Sequence, residues 1–397
     1  MVESSGNVFK GSSEDLGMLV QKTVRAKIFE LTKIKEKKLS GEYRNFQLAL
    51  RGKETDLYSA TKQQAERVRR RILRNGGKQI HDNHPVILRR DCFRVERQNT
   101  RLSRWWAKVP VHGGSIWVPI QLPYNQEPLL GEDVRETKLI RRKGRWFLHI
   151  TVQKSVWVEI PTDPEKVVVI GVDLGEANPA ASVVLAGNRV REPGFHTTRV
   201  RAVRAHHNNL RKRIGRRKVK HALRVIKRIG NREQRIVEHQ LHVASKSIVE
   251  QATRLRGEGF QPVIVVGDLK GVRKKRVRGE TRCRRNNRKV HTMPSYRMKT
   301  LIMYKALWAE IPVVLINEAC TSRTCHRCGA TGAVRRRVFE CPNCGEYNRD
   351  LNAAINIGNR FLGYILGNRA ALAQPLTPTP NSELLVSAEC DGRISRL

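Results

Sequence analysis

The sequence is short of acid and lacks any long apolar run. Its 397 residues carry 36 Asp and Glu against 77 Lys and Arg, a formal charge of +41. No run of about 18 apolar residues occurs, which excludes an ordinary membrane-spanning helix. The opening MVESSGNVFKGSSEDLG lacks the apolar core of a signal peptide. No internal repeat is evident. These absences predict a soluble, cytoplasmic protein, with no membrane partner. The eight cysteines include four scattered ones, Cys92, Cys283, Cys320 and Cys390. Without an export signal these read as unpaired thiols rather than a disulfide framework.

What is present points to folded domains and a polyanionic partner. Hydrophobic residues make up 39% of the chain, enough for real cores, so it is not a basic tail. At roughly 100–200 residues per domain, the length predicts about two or three domains. A folded chain with so much excess positive charge repels itself unless a polyanion neutralises it. Nucleic acid is the favoured polyanion, because basic residues run through folded-looking segments as well as loops. A membrane surface is the competing reading.

Periodicity divides the chain. Leu19 to Leu31 reads as a first strand or two, and Glu42 to Arg74 as a helix stopped by Asn75-Gly-Gly. From His84 to Gln153 the period falls to two. Trp146, Leu148, Ile150 and Val152 share one face, Gly114 to Leu122 is another strand, and Lys143-Gly144 marks a hairpin turn. Pro119 suggests an edge or bulge in its strand. A small β-barrel or sandwich carrying a helical insertion is predicted here.

After Pro161 the texture changes to continuous apolar runs, Val167 to Val172, Val263 to Val266 and Pro312 to Ile316. Such runs mark strands buried on both faces. Ala180 to Ala186 is a further strand, Thr198 to Arg256 a long helical stretch, and Pro294 to Ala309 another helix. Strands alternating with helices predict an α/β domain. Residues 371–397 read as a disordered tail.

Cys325-His-Arg-Cys328 and Cys341-Pro-Asn-Cys344 are two Cys-x-x-Cys pairs twelve residues apart, each followed by glycine. Four thiolates at this spacing suit Zn2+, with every position filled, so the predicted zinc is structural. The alternative is a redox dithiol pair. The stretch from Arg335 to Phe339 reads as part of a basic hairpin, which makes the module a zinc ribbon. His326 finds no vacancy as a ligand.

Among the acids, Asp173 ends the run from Val167, where open α/β sheets place their sites. A turn or helix cap is the bland account of it. Asp350 lies at the start of a helix whose apolar face is Leu351, Ala354 and Ile355, where it too can act as a cap. Asn352 and Asn356 fall on the helix's polar side.

In this order the segments Ile170-Gly-Val-Asp-Leu-Gly, Gly267-Asp-Leu-Lys-Gly, Thr321-Ser-x-x-Cys-x-x-Cys-Gly, Cys341-Pro-x-Cys-Gly and Arg349-Asp-Leu-Asn-Ala-Ala resemble a known region. It is the RuvC-type nuclease region of transposon-encoded TnpB proteins, shared by the miniature type V CRISPR effectors. The resemblance covers residues 167–366. Over 1–160 it extends to size and layout.

The resemblance implies an α+β multidomain chain. A wedge β-barrel with a helical recognition insert (about 40–82) spans 1–160. An RNase H-like α/β (RuvC) domain spans 161–322 and 349–370, with the zinc ribbon inserted at 323–348. It further implies a guide RNA and target double-stranded DNA as partners, admits a homodimer, and locates the chemistry at the prokaryotic nucleoid. Three carboxylates would hold two Mg2+ ions for phosphodiester hydrolysis. The first and third fall on Asp173 and Asp350.

The second acid does not map simply. The family carries glutamate immediately before Asp-Leu-Lys, and here that position is Gly267. Neighbouring Asp268 points to the opposite face of its strand. Glu318, at the end of the strand from Pro312, offers a relocated second acid, and some relatives carry one near this point. A salt bridge to an arginine is the plain alternative for Glu318. Glu176 reads as peripheral. The expected function is an RNA-guided DNA endonuclease. A nuclease-dead, RNA-guided DNA-binding protein, motivated by Gly267, is the alternative, and a structural RNA-binding protein a third.

Basic residues cluster at Arg67–Arg74, Arg199–Arg235 and Lys270–Lys289. Arg211, Lys212, Arg213, Arg216, Arg217, Lys270, Arg273, Lys274, Lys275 and Arg276 are the predicted phosphate contacts, giving affinity without sequence choice. Trp105, Trp106, Trp117 and Trp146 read as barrel core rather than base-stacking platforms.

Overall fold

A computed structural model describes residues 18–76, 83–161, 163, 165–175, 178–187, 189–196, 199–216, 221–268 and 293–365. It divides the chain into two compact units, Met1–Ser155 and Val156–Leu397. The tail predicted at 371–397 lies outside the described residues. So do Glu176, Arg217, Lys270, Arg273, Lys274, Lys275 and Arg276.

The first unit is built on a seven-stranded sheet. In chain order its strands are β1 (Met18–Ile28), β2 (Val86–Leu88), β3 (Arg94–Arg97), β4 (Trp105–Val111), β5 (Gly114–Gln121), β6 (Asp133–Arg142) and β7 (Arg145–Val156). The order across the sheet is β2-β6-β7-β1-β5-β4-β3. The two-residue period of β7 is realised as foreseen, with Trp146, Leu148, Ile150 and Val152 all buried. Among the described residues, β2 and β3 stand at the two ends of the sheet order. Pro119 pairs with Trp106 of β4 but lies just beyond the β1 ladder, which reaches only Ile120 and Gln121 of β5.

The helical insertion is two helices rather than one, α1 (Lys33–Leu50) and α2 (Ser59–Arg74). It starts earlier than the predicted residue 40, at a Thr32 cap whose hydroxyl accepts from Lys35 N. The break after Leu50 is held by Glu42. Its buried carboxylate accepts from Tyr58 N at 3.1 Å and from His112 N at 2.8 Å. Trp146 donates its indole N–H to Glu36 on α1, so this tryptophan is a packing residue.

The second unit carries β8 (Val167–Asp173), β9 (Ala180–Ala186), β10 (Arg189–His196), β11 (Gln261–Asp268) and β12 (Val313–Asn317) in the order β10-β9-β8-β11-β12. β8, β9 and β10 are antiparallel neighbours, whereas β8, β11 and β12 run parallel. The helices are α3 (Arg199–Arg216), α4 (Ala222–Gly257), α5 (Ser295–Trp308) and α6 (Arg349–Ile365). Val168, Ile170 and Val172 pack with α4 and α5, while Val167 and Val169 pack with Ala354, Ile357 and Phe361 of α6. Helices on both faces explain why β8 is apolar throughout rather than alternating.

A three-stranded sheet of β13 (Ala333–Arg335), β14 (Val338–Cys341) and β15 (Gly345–Asn348) completes the unit and runs directly into α6. The basic hairpin foreseen around Arg335 is the β13–β14 pair.

Candidate active site and metal centre

The parallel strands bring their carboxyl ends to one edge of the sheet. Asp173 ends β8, Asp268 ends β11, and Glu318 follows the last residue of β12. Asp350 arrives from the other face, in the first turn of α6. That helix approaches β8 as closely as two backbones allow. A β-carbon on Gly171 would lie 2.2 Å from Ala354 O, so only glycine fits. Asn348 caps the helix, its Oδ1 accepting from Asp350 N at 3.0 Å and Leu351 N at 3.2 Å.

Asp350 and Glu318 act on Asp173 electrostatically. Burial first, then the Asp350 and Glu318 charges, push the Asp173 carboxyl up to about 8. Burial and then Asp268 push Glu318 up to about 7. Asp350 is 2% exposed. Its Oδ1 accepts from Arg349 Nη2 at 2.8 Å and its Oδ2 from Asn178 Nδ2 at 3.0 Å. The three carboxylates are not collapsed together. Among the described residues, only the cysteine quartet brings three or more such ligand atoms within 4.8 Å of one another.

Gly267 and Glu318 fit each other. A β-carbon at Gly267 would sit 2.8 Å from Glu318 Oε2 and 3.2 Å from Glu318 Cβ, so the Glu318 side chain fills the space above the glycine. Arg360 of α6 holds the chain around Glu318, donating to Asn317 O at 2.5 Å and Ala319 O at 2.7 Å. Asp268 is instead paired with Lys299 at 2.9 Å. Among the described residues, no ion pair joins Glu318 to an arginine.

Two buried oxygens here have no hydrogen-bond donor among the described residues, Glu318 Oε2 and Asn178 Oδ1. A buried acceptor without a donor is costly, and a cation removes that cost. The acids and these orphaned oxygens therefore suit hard, oxygen-seeking divalent ions.

The four predicted zinc ligands, Cys325, Cys328, Cys341 and Cys344, do come together. Their sulfurs lie within 4.8 Å of one another, over a small core centred on Phe339. Crowding discourages a second charge: Cys328 above all pushes the Cys344 thiol up to about 12. A tetrahedral Zn2+ fits this donor set. His326 is not a ligand. Its Nδ1 lies 2.9 Å from Asn352 Oδ1, and its ring meets Tyr347 edge-on at 4.7 Å.

Asn352 and Asn356 are not on a solvent-facing side of α6. Both donate to the carbonyls of Thr321 and Thr324, the chain entering the first Cys-x-x-Cys. Thr321 in turn returns a hydrogen bond to Glu318 O at 2.8 Å. The helix bearing Asp350 thus grips both the cysteine module and the Glu318 turn. Asn178, Arg349 and Arg360 escaped the sequence reading. A polar residue in the turn after a strand-ending acid was the available signal for Asn178.

Of the predicted phosphate contacts, Lys212, Arg213 and Arg216 are exposed on α3. Arg211 is paired with Glu233.

The fold and site therefore define a mixed α/β protein with carboxylates gathered at its strand ends and a four-cysteine cluster that could hold a metal ion. Residues 296–357 match the family described as Cas12f1-like, TNB domain. A CRISPR-associated endodeoxyribonuclease Cas12f2 from a Micrarchaeota archaeon is 27% identical over 234 residues, 55% of this chain and 41% of the relative. A TnpB-like protein from Methanocaldococcus jannaschii is 23% identical over 195 residues, 48% of this chain and 67% of that one. The cryo-EM structure of a Cas12f1–sgRNA–target DNA complex matches with a TM-score of 0.50 at 14% identity, covering 76% of this chain and 71% of that chain. The alignment spans less than half of the Cas12f2 relative. These matches relate the chain to TnpB-type proteins and miniature type V effectors. No helix among the described residues is long and apolar enough to cross a membrane.

Proposed function

We propose that this protein is an RNA-guided DNA endonuclease that hydrolyses phosphodiester bonds with a RuvC-like site of Asp173, Glu318 and Asp350. The observation that carries the reading is the Glu318 carboxylate lying over Gly267 with a buried, donor-free oxygen. The sheet order, with three antiparallel strands followed by two parallel ones, supports an RNase H-like fold for this unit. The names of the relatives support DNA cleavage and a bound guide.

Asp173, Glu318 and Asp350 would hold two Mg2+ ions, which when bound supply an activated water and neutralise charge on the leaving oxygen. The chain's own work is positioning. Arg349 and Asn178 fix the two oxygens of Asp350, which is kept in place by the Asn348 cap. Arg360 and Thr321 fix the turn that presents Glu318. Lys212, Arg213 and Arg216 suit strand phosphates. Specificity would come from base pairing with the guide, leaving the protein to read shape and a short adjacent DNA motif. The nuclease-dead alternative rested on Gly267, and Glu318 above it removes that motive. Zinc in the cysteine module is structural in this reading.

The test is purification with co-bound RNA, sequencing of that RNA, and incubation with matched duplex DNA and Mg2+. Cleavage of the matched target alone is expected. Binding without cleavage under these conditions would overturn the catalytic reading.

A further inference from the structure

Asn178 stands in the connection from β8 to β9 and reaches Asp350 across 172 positions of the chain. Only one half of its amide is used. Nδ2 donates to Asp350 Oδ2 at 3.0 Å, whereas Oδ1 is buried with no donor among the described residues. The residue as a whole is 2% exposed. A carboxylate offers acceptors only, so the amide cannot be turned round: the reverse orientation would set Oδ1 against Asp350 Oδ2. The bond to Asp350 therefore leaves the carbonyl oxygen unspent on the other side of the amide.

The backbone keeps that oxygen where it is. Gly175 N donates to Asn178 O at 3.1 Å, which ties the two ends of the turn together. A β-carbon at Gly175 would lie 2.8 Å from the same carbonyl, so the turn needs glycine. Pro179 follows and disfavours the helical conformation at Asn178. Backbone and side chain are both fixed before any ligand arrives. Asn352, a buried amide with a structural task, contrasts with it. That side chain donates to Thr321 O and Thr324 O and accepts from His326 N, so both its ends are used.

A buried carbonyl oxygen without a donor, next to a buried acid, has the chemistry of a cation ligand. Each Mg2+ takes about six oxygens, and three carboxylates cannot fill two such shells. A neutral amide adds a ligand without adding a fourth negative charge among buried acids. We propose that Asn178 Oδ1 is a ligand of a divalent ion at the carboxylate site, the amide joining that ion to Asp350 with its oxygen on the metal and its nitrogen on the acid. Asn178 has this role only if Asp173, Glu318 and Asp350 form the ion site proposed for them. The turn after β8 then holds the metal directly as well as steadying Asp350.

The test is Mn2+ binding by the full, zinc-loaded chain without nucleic acid, read from the electron paramagnetic resonance signal of free Mn2+. The unaltered protein is expected to bind Mn2+, and Asp173→Asn to lose that binding. Asn178→Ala is expected to raise the Mn2+ dissociation constant at least about 10-fold, the least that loss of an outer-shell partner costs. The deciding variant is Asn178→Cys, because a thiolate favours Zn2+ over Mn2+ where a carbonyl does not. Zn2+ is titrated into the Mn2+-bound proteins and the released Mn2+ is counted. Loading the cysteine module with zinc beforehand keeps it out of the competition. In Asn178→Cys the ratio of Zn2+ to Mn2+ affinity is expected to rise at least about 10-fold over the unaltered protein. An Asn178 that only orients Asp350, or whose carbonyl takes a water, weakens both ions alike. An unchanged ratio, or Mn2+ affinity unmoved in Asn178→Ala, would overturn the assignment. Should Asn178→Cys fail to melt cooperatively, Asn178→Asp, which keeps an oxygen in that place, is expected to bind Mn2+ more tightly than Asn178→Ala. Binding no tighter would overturn the assignment too. Failure of the unaltered protein to bind Mn2+, or binding that survives Asp173→Asn undiminished, would overturn the carboxylate site itself.

Discussion

Glu318 occupies the space above Gly267, its Oε2 2.8 Å from where a β-carbon on that glycine would be. The two residues sit on adjacent parallel strands, Gly267 in β11 opposite Ile316 of β12, with Glu318 just past the end of β12. A side chain at 267 and the glutamate at 318 compete for one place. Gly267→Ala therefore displaces Glu318. Cleavage is expected to fall about 10-fold or more, by analogy with disturbed metal-ligand support. In a Glu318→Ala background the same change is expected to add little, the remaining close contact being the movable Ile357 Cδ1 at 3.0 Å. Single-turnover cleavage rates of the four proteins check this.

Removing charge from Asp173 should stabilise the metal-free protein. Burial, Asp350 and Glu318 push its carboxyl from 3.8 up to about 8. The folded state thus binds more protons than the unfolded one between those pH values, and stability falls as pH rises through the window. Asp173→Asn abolishes that cost. In EDTA at pH 7.5 its Tm is expected to exceed that of the unaltered protein by a few degrees, and the difference to vanish near pH 4. Calorimetry across pH measures both.

Zinc should be a folding ligand for more than the ribbon. β15 runs straight into the helix that carries Asp350. Elemental analysis is expected to find zinc in the unaltered protein and to find it lost in Cys341→Ser. The substitution should also lower cleavage, because the start of α6 is no longer held.

Asn352 ties that helix to the cysteine module through Thr324 O at 2.8 Å and His326 N at 3.1 Å. Asn352→Ala leaves His326 N without its acceptor, Asn356 still donating to Thr324 O, and is expected to cost about 1–3 kcal/mol in urea denaturation.

The sequence made some of this legible. The all-apolar run of β8 announced a strand covered on both faces, and the cysteine spacing announced the gathering of four sulfurs. Glu318, the proposed second acid, was singled out because it ends a strand beside Thr321. Other features carry no local signal. β10 is mostly exposed, with a register shift between Arg191 and Gly194, so neither alternation nor an apolar run marks it. Asn352 is polar by type yet 1% exposed, because the Thr321–His326 segment lies against it. Arg360 acquires its partners only through tertiary contacts. The single helix expected over 42–74 breaks where Glu42 captures the backbone of Tyr58, a contact sixteen residues long in sequence.

The most direct test of the central claim sets Glu318 against Asp268, on guide-loaded protein with matched duplex DNA and Mg2+. Glu318→Gln is expected to slow cleavage at least about 100-fold, more than the loss of an outer-shell partner costs, with target binding retained. Asp268→Asn, which breaks the pair with Lys299, is expected to cut within a few-fold of the unaltered rate. Abolition of cutting by Asp268→Asn while Glu318→Gln cuts normally would contradict the account.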